Sequence, residues 1–155
     1  MDHTRKIYYF ESALSPFVVA VDLSKIDFSP KSGIRSPAPN PAGHMGDYAI
    51  QAATSLYNQL TQLYGSSLTD AQRWAMIGVT PRIGLNDVTT ETFTQQDART
   101  VEAWAASHGI GLLSMWSLNR DRQNGSGVIR YVDTNSSSLA QTPNEFSGIF
   151  LPFTR

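Results

Sequence analysis

Residues able to do chemistry gather at three points of the chain. The longest stretch is "GIGLLSMWSLNRD", residues 109–121, where an apolar run leads into Trp116, Ser117, Asn119, Arg120 and Asp121. Arg82, Asn86, Asp87 and Glu91 follow a second apolar run, and Asp22 ends a third. A flat indole packs against the C–H groups of a sugar ring while neighbouring amides and carboxylates take its hydroxyls. The same residues admit a plainer reading, with Trp116 a core aromatic and Asn119 to Asp121 the start of a helix. Residue types and positions alone leave both open. Arg82 and Asp87 equally suit a structural ion pair that holds their loop. His108 falls near the end of a helical apolar face, where packing or capping of carbonyls is the commoner role. His3 and His44 have no neighbours at ligand spacing, so no metal and no cofactor is expected. Serine-hydrolase elbows, phosphate-binding glycine loops and HExxH are all missing from the sequence.

These groups need elements to hold them. "FVVAVDL", residues 17–23, reads as a buried strand, and residues 24–44 read as a long irregular loop rich in proline and glycine. In the next segment Ala49, Ala53, Leu56, Leu60 and Leu63 recur at steps of three and four, the apolar face of a helix that Gly65 ends. "AMIGVT", residues 75–80, predicts a strand stopped by Pro81. Thr94 and Asp97 have the spacing of a capping box, and Ala98, Val101, Ala105 and His108 continue as one helical face up to Gly109. Residues 110–116 form the last strand, followed by a polar, turn-rich stretch in which "NSSS" is too short to count as low complexity. A short final helix has Pro143 in its first turn. Continuous apolar strands alternating with helices indicate an α/β fold with a parallel sheet, whose ligand site lies at the carboxyl ends of the strands.

With 155 residues, 41% of them hydrophobic and 16% charged, the chain suits one globular unit. A net charge of −1 provides no basic field for a nucleic-acid backbone or an anionic membrane. No nucleic acid and no membrane is therefore expected as a partner. Cysteine is absent, which excludes disulfides and thiolate-held metals without fixing a compartment. Glu11, Ser12, Ser15 and Pro16 interrupt the apolar run that a signal peptide would need.

Four segments, "PNPAGHMGDYAIQAATSLYNQL", "MIGVTPRIGLNDVTTETFTQQDA", "GIGLLSMWSLNRDR" and "TPNEFSGIF", together resemble the C-terminal part of chitinase-like members of glycoside hydrolase family 18, over about residues 37–153. The resemblance implies a partial TIM (β/α)8 barrel supplying about the last three strand–helix units. It divides the chain into a poorly matched segment, residues 1–36, and a barrel part, residues 37–155. It implies that Trp116, closing strand eight, floors the sugar subsite beside the cleaved bond, with Asp22, Asn86 and Asp87 as further substrate-binding residues. Leu23 stands where the family's strand-six motif has Tyr. The substrate implied is chitin or chitooligosaccharide, and the family suggests secretion.

One departure bears on activity. The family's D-x-x-D-x-D-x-E signature, whose Glu protonates the leaving oxygen while a preceding Asp supports the substrate's own acetamido nucleophile, occurs nowhere in these 155 residues. No catalytic residue is assigned, and loss of general acid catalysis costs about 10²–10⁴ in rate. The isolated chain is expected to be inactive. A closed barrel of this type has about 250 residues, so open sheet edges are expected to be covered by a complementing N-terminal half or by a second copy, unless the chain is a poorly soluble fragment. A non-catalytic carbohydrate-binding or interaction module derived from the barrel is the alternative.

Overall fold

The computed structural model describes residues 8–12, 15–22, 45–87 and 91–154. Leu23, the loop expected over residues 24–44, both remote histidines and the boundary at residue 36 lie outside them. Strand β2 (Ser15–Asp22) covers the strand expected at 17–23 and forms an antiparallel hairpin with β1 (Tyr8–Ser12), with Phe10 opposite Val18. β1 was not anticipated: "YYF" has strong strand propensity but is too short to show alternation. β2 then pairs in parallel with β3 (Ile77–Thr80), placing Asp22 beside Thr80, and β3 pairs in parallel with β6 (Leu112–Leu113). The sheet order is β1-β2-β3-β6, so the three expected strands are parallel neighbours and the architecture is α/β.

Helix α1 (Met45–Tyr64) lays Ala49, Ala53, Leu56 and Leu60 on the core, where they meet Ile77 and Val79 of β3 and Ala98, Val101 and Ala105 of α3 (Gln95–His108). Leu63 corrects the sequence reading, because it is 74% exposed although its spacing places it on the apolar side. Periodicity gives a direction but not a covering element, and at this last turn Tyr64 is the residue that packs on the core. Gly65 does adopt a left-handed φ of 51°, and a short 3-10 turn, Gly65–Ser67, continues from it. Helix α2 (Asp70–Ala75) was also missed, so the strand expected from residue 75 begins at Ile77. Its signal was local: Thr69 and Gln72 make a reciprocal capping box. The guanidinium of Arg73 donates to the Gly65 and Leu68 carbonyls and ties α2 to the turn that follows α1.

The Thr94–Asp97 capping box forms as expected and Gly109 ends α3 at φ 64°. Asp97 does more than the motif states. While one carboxylate oxygen accepts from the Thr94 N–H at 2.8 Å, the other accepts from the Gly46 N–H at 2.8 Å, so a single buried side chain caps both α3 and α1. His108 is exposed, yet its ring stacks on Trp104 and its Nδ1 lies 2.8 Å from the Trp104 carbonyl oxygen.

The extended run after Gly109 follows β3 through bonds from Gly111 N–H to Ile77 O, Ser114 N–H to Val79 O and Trp116 N–H to Pro81 O, with one extra residue on its own side between the first two. It is not buried throughout: Ile110 is in the core, but Leu112 is 36% exposed, because β6 has a ladder on one side only among the described residues. A small antiparallel pair, β4 (Gly84–Leu85) with β5 (Thr92–Phe93), stands beyond the end of β3. Helix α4 (Glu145–Phe150) closes the core with Phe146 and Phe150; Pro143 precedes its N-cap, Asn144, rather than lying in the first turn.

Candidate functional site

Trp116 is 63% exposed, which removes its reading as a core aromatic. Its main chain is nevertheless fixed on both sides: the N–H donates to Pro81 O at 2.8 Å, the carbonyl accepts from Ile83 N–H at 3.0 Å, and Arg82 forms a bridge with it. The Trp116–Ser117 peptide is cis. A pinned backbone with a free indole is a preorganised apolar surface.

The polar knot behind it has three separate tasks. Leu118–Arg120 form a 3-10 turn, in which the Asn119 side chain accepts from the Ser117 hydroxyl and donates to the Thr134 carbonyl. Arg120, 1% exposed, donates to Leu85 O at 2.8 Å. Burial, and then the neighbouring Arg82, pull the Arg120 pKa below its usual value. Asp121, 2% exposed, accepts from Gln141 Nε2, Phe146 N–H, Ser147 N–H and the Ser147 hydroxyl at 2.7–2.9 Å. It is the N-terminal cap of α4, supplied from more than 20 residues away.

Arg82 and Asp87 do form the ion pair, leaving the Asp87 side chain 71% exposed. Asn86 is buried; its N–H donates to Glu91 O at 2.9 Å and closes the loop that carries Asp87, while its Oδ1 has no hydrogen-bond partner. Asp22 ends β2 next to Thr80. Asp22 (by its main chain), Asn86, Asp87 and Trp116 therefore all lie at the carboxyl end of the parallel strands. Among the described residues no three His, Asp or Glu side chains gather as a metal cluster, and no helix is long and apolar enough to cross a membrane.

The sequence reading passed over what holds this end together. Ser136, Ser137 and Ser138 are fully buried, and their hydroxyls donate to the Asp133 carboxylate, the Gln141 side chain and the Tyr131 carbonyl. Ser136 at 2.6 Å, the Asn135 N–H and the Asn124 amide lower the Asp133 pKa to about 2. Because the folded value lies below the ordinary 3.8, this carboxylate contributes its full stabilisation above about pH 4. The contribution is lost as pH falls through 2. Amide NMR of Asn135 is expected to titrate with a midpoint near 2, and Asp133→Asn to remove that titration; a midpoint near 4 would contradict the network.

The structure thus places an exposed tryptophan on an anchored backbone at the carboxyl end of a parallel α/β sheet, the end at which such sheets hold ligands. No family model matches the chain. A probable bifunctional chitinase/lysozyme of Escherichia coli is 36% identical over 111 residues, covering 71% of this chain and 12% of that protein. Endochitinase 11 of Metarhizium anisopliae is 40% identical over 76 residues, 49% of this chain and 14% of that one. The catalytic domain of a chitinase from Pyrococcus furiosus, also solved as catalytic-site mutants complexed with chito-oligosaccharides, superposes with a TM-score of 0.65 at 35% identity, covering 70% of this chain and 35% of that one. The chain thus spans about an eighth of the length of its curated relatives. Part of it is a chitinase-like segment of glycoside hydrolase family 18.

Proposed function

We propose that the chain forms about the last three strand–helix units of a (β/α)8 barrel, with residues 37–155 its chitinase-like part and residues 1–36 a poorly matched segment that contributes the first of the three strands, and that the carboxyl end of the sheet binds chitin or chitooligosaccharide. The observation that carries this is Trp116, 63% exposed on a backbone held from both sides. Asp22, Asn86 and Asp87 are the polar rim of the same contact. Support comes from the relatives named as chitinases and from the Pyrococcus domain complexed with chito-oligosaccharides.

The isolated chain binds and does not cleave, because no D-x-x-D-x-D-x-E spacing occurs in its sequence to supply the acid. Hydrolysis requires a strand bearing that signature, which these 155 residues do not contain. Among the described residues β1 lies along β2, so the parallel-strand edge open to such a strand, or to a second copy, is that of β6. The test is calorimetric titration with chitooligosaccharides alongside a hydrolysis assay. Trp116→Ala is expected to weaken binding about tenfold with little change in melting temperature, since the ring is exposed. A flat titration of the unmodified chain would sink the binding reading, and turnover by the pure chain would sink its inactivity.

A further inference from the structure

Resting on that reading, we propose that Tyr131 is a second aromatic contact for the sugar polymer, so that the loop of residues 122–141 extends the site opened by Trp116 to longer chitooligosaccharides.

Tyr131 is 62% exposed and makes no ring contact or side-chain hydrogen bond with the described residues. An uncovered aromatic with a free phenol O–H presents an apolar face and a polar tip, the pairing that suits a sugar ring and its hydroxyls. Its backbone, by contrast, is firmly held. The Ser138 hydroxyl donates to the Tyr131 carbonyl at 2.8 Å, and the Ser138 carbonyl accepts from Ile129 N–H at 3.2 Å. Ser138 makes both bonds from a left-handed backbone, φ 70°, that a non-glycine residue rarely adopts, and it does so while 1% exposed. Such strain persists only where the surroundings over-determine it. Here it fixes the span that carries Tyr131.

The loop is also tied to the residues already placed in the site. Asn119, three residues beyond Trp116, donates to the Thr134 carbonyl; Arg122 Nε donates to Asn135 O at 2.8 Å. The Ser137 carbonyl accepts from Leu85 N–H at 2.9 Å, next to Asn86 and Asp87. The span that carries Tyr131 and the turn that follows Trp116 are therefore held on a common hydrogen-bonded frame. Because the two rings do not touch, they can serve different sugar units of one chain.

Titrations of the full chain with chitobiose and with chitohexaose separate the possibilities. Tyr131→Ala is expected to weaken chitohexaose binding about three- to tenfold and leave chitobiose binding unchanged. Tyr131→Phe is expected to keep most of the affinity, and Trp116→Ala to weaken both ligands. If Tyr131→Ala binds chitohexaose as the unmodified chain does while Trp116→Ala does not, the extension is wrong and the Trp116 site stands. Equal losses for both sugars would also overturn it, by placing Tyr131 among the first contacts. Failure of the unmodified chain to bind either sugar would remove both proposals.

Discussion

Asp121→Ala is expected to destabilise the chain by about 3–5 kcal/mol, a large share of the 5–15 kcal/mol typical of a folded domain. Two backbone N–H groups at the start of α4 and two side-chain donors converge on this one carboxylate. Hydrogen bonds to a charged acceptor contribute about 1.5–3 kcal/mol each, and they do not add fully when they share an atom. Truncation leaves the Phe146 N–H buried without a partner and loosens the helix that carries Phe146 and Phe150 into the core. A fall in melting temperature of roughly 10 °C or more is anticipated for a chain of this size. Asp121→Asn should lose less, since its carbonyl oxygen still accepts while its amide nitrogen faces donors. Thermal unfolding checks this directly. Were Asp121 a sugar ligand instead, as its place after Trp116 first suggested, alanine would lower affinity and leave stability nearly unchanged.

Asp121 also marks where reading the sequence reaches its limit. Features whose partners lie within four residues were legible: the Thr94–Asp97 box, the left-handed glycine after α3, and the alanine and leucine face of α1. The Thr69–Gln72 box was equally local and was overlooked because its helix has only six residues. The Arg82–Asp87 pair, five residues apart, was also foreseeable. Asp121, Arg120 and Ser138 are different, since the partners that matter lie 7–35 residues away and no periodicity announces them; Ser136 and Ser137 bond Asp133 and Gln141 only three and four residues off, but nothing in those residue types signals burial. Composition said only that residues 122–141 were polar. Folding turns that polarity inward, which is why three consecutive serines are buried in a loop that reads as exposed. The site divides in the same way. Residue type suggested that Trp116 suits a sugar, but only the structure separates its free ring from an Asn119–Arg120–Asp121 cluster occupied with internal bonds.

Gly84→Ala is the second large effect expected, of about 3–5 kcal/mol. Gly84 has φ 76°, where an L side chain is strained by about 1–2 kcal/mol. An added Cβ would lie 2.0 Å from the Ser137 carbonyl oxygen and 2.6 Å from the Ser137 Cβ, so the serine loop must retreat. That retreat breaks the 2.9 Å bond from Leu85 N–H to Ser137 O. It also disturbs the Leu85 carbonyl that accepts from the buried Arg120 guanidinium, a charged group costly to leave unpaired. Gly65→Ala is the internal control. Gly65 is also left-handed, at φ 51°, but has nothing within 4 Å of an added Cβ, so only the backbone strain should register. Thermal unfolding of the two variants isolates the packing contribution as their difference, expected to be about 2–3 kcal/mol. Equal losses would mean that the serine loop is not clamped on β4. A larger loss at Gly84, accompanied by weaker chitooligosaccharide binding despite an unmodified Trp116, would tie the Asn86–Asp87 rim to the same clamp.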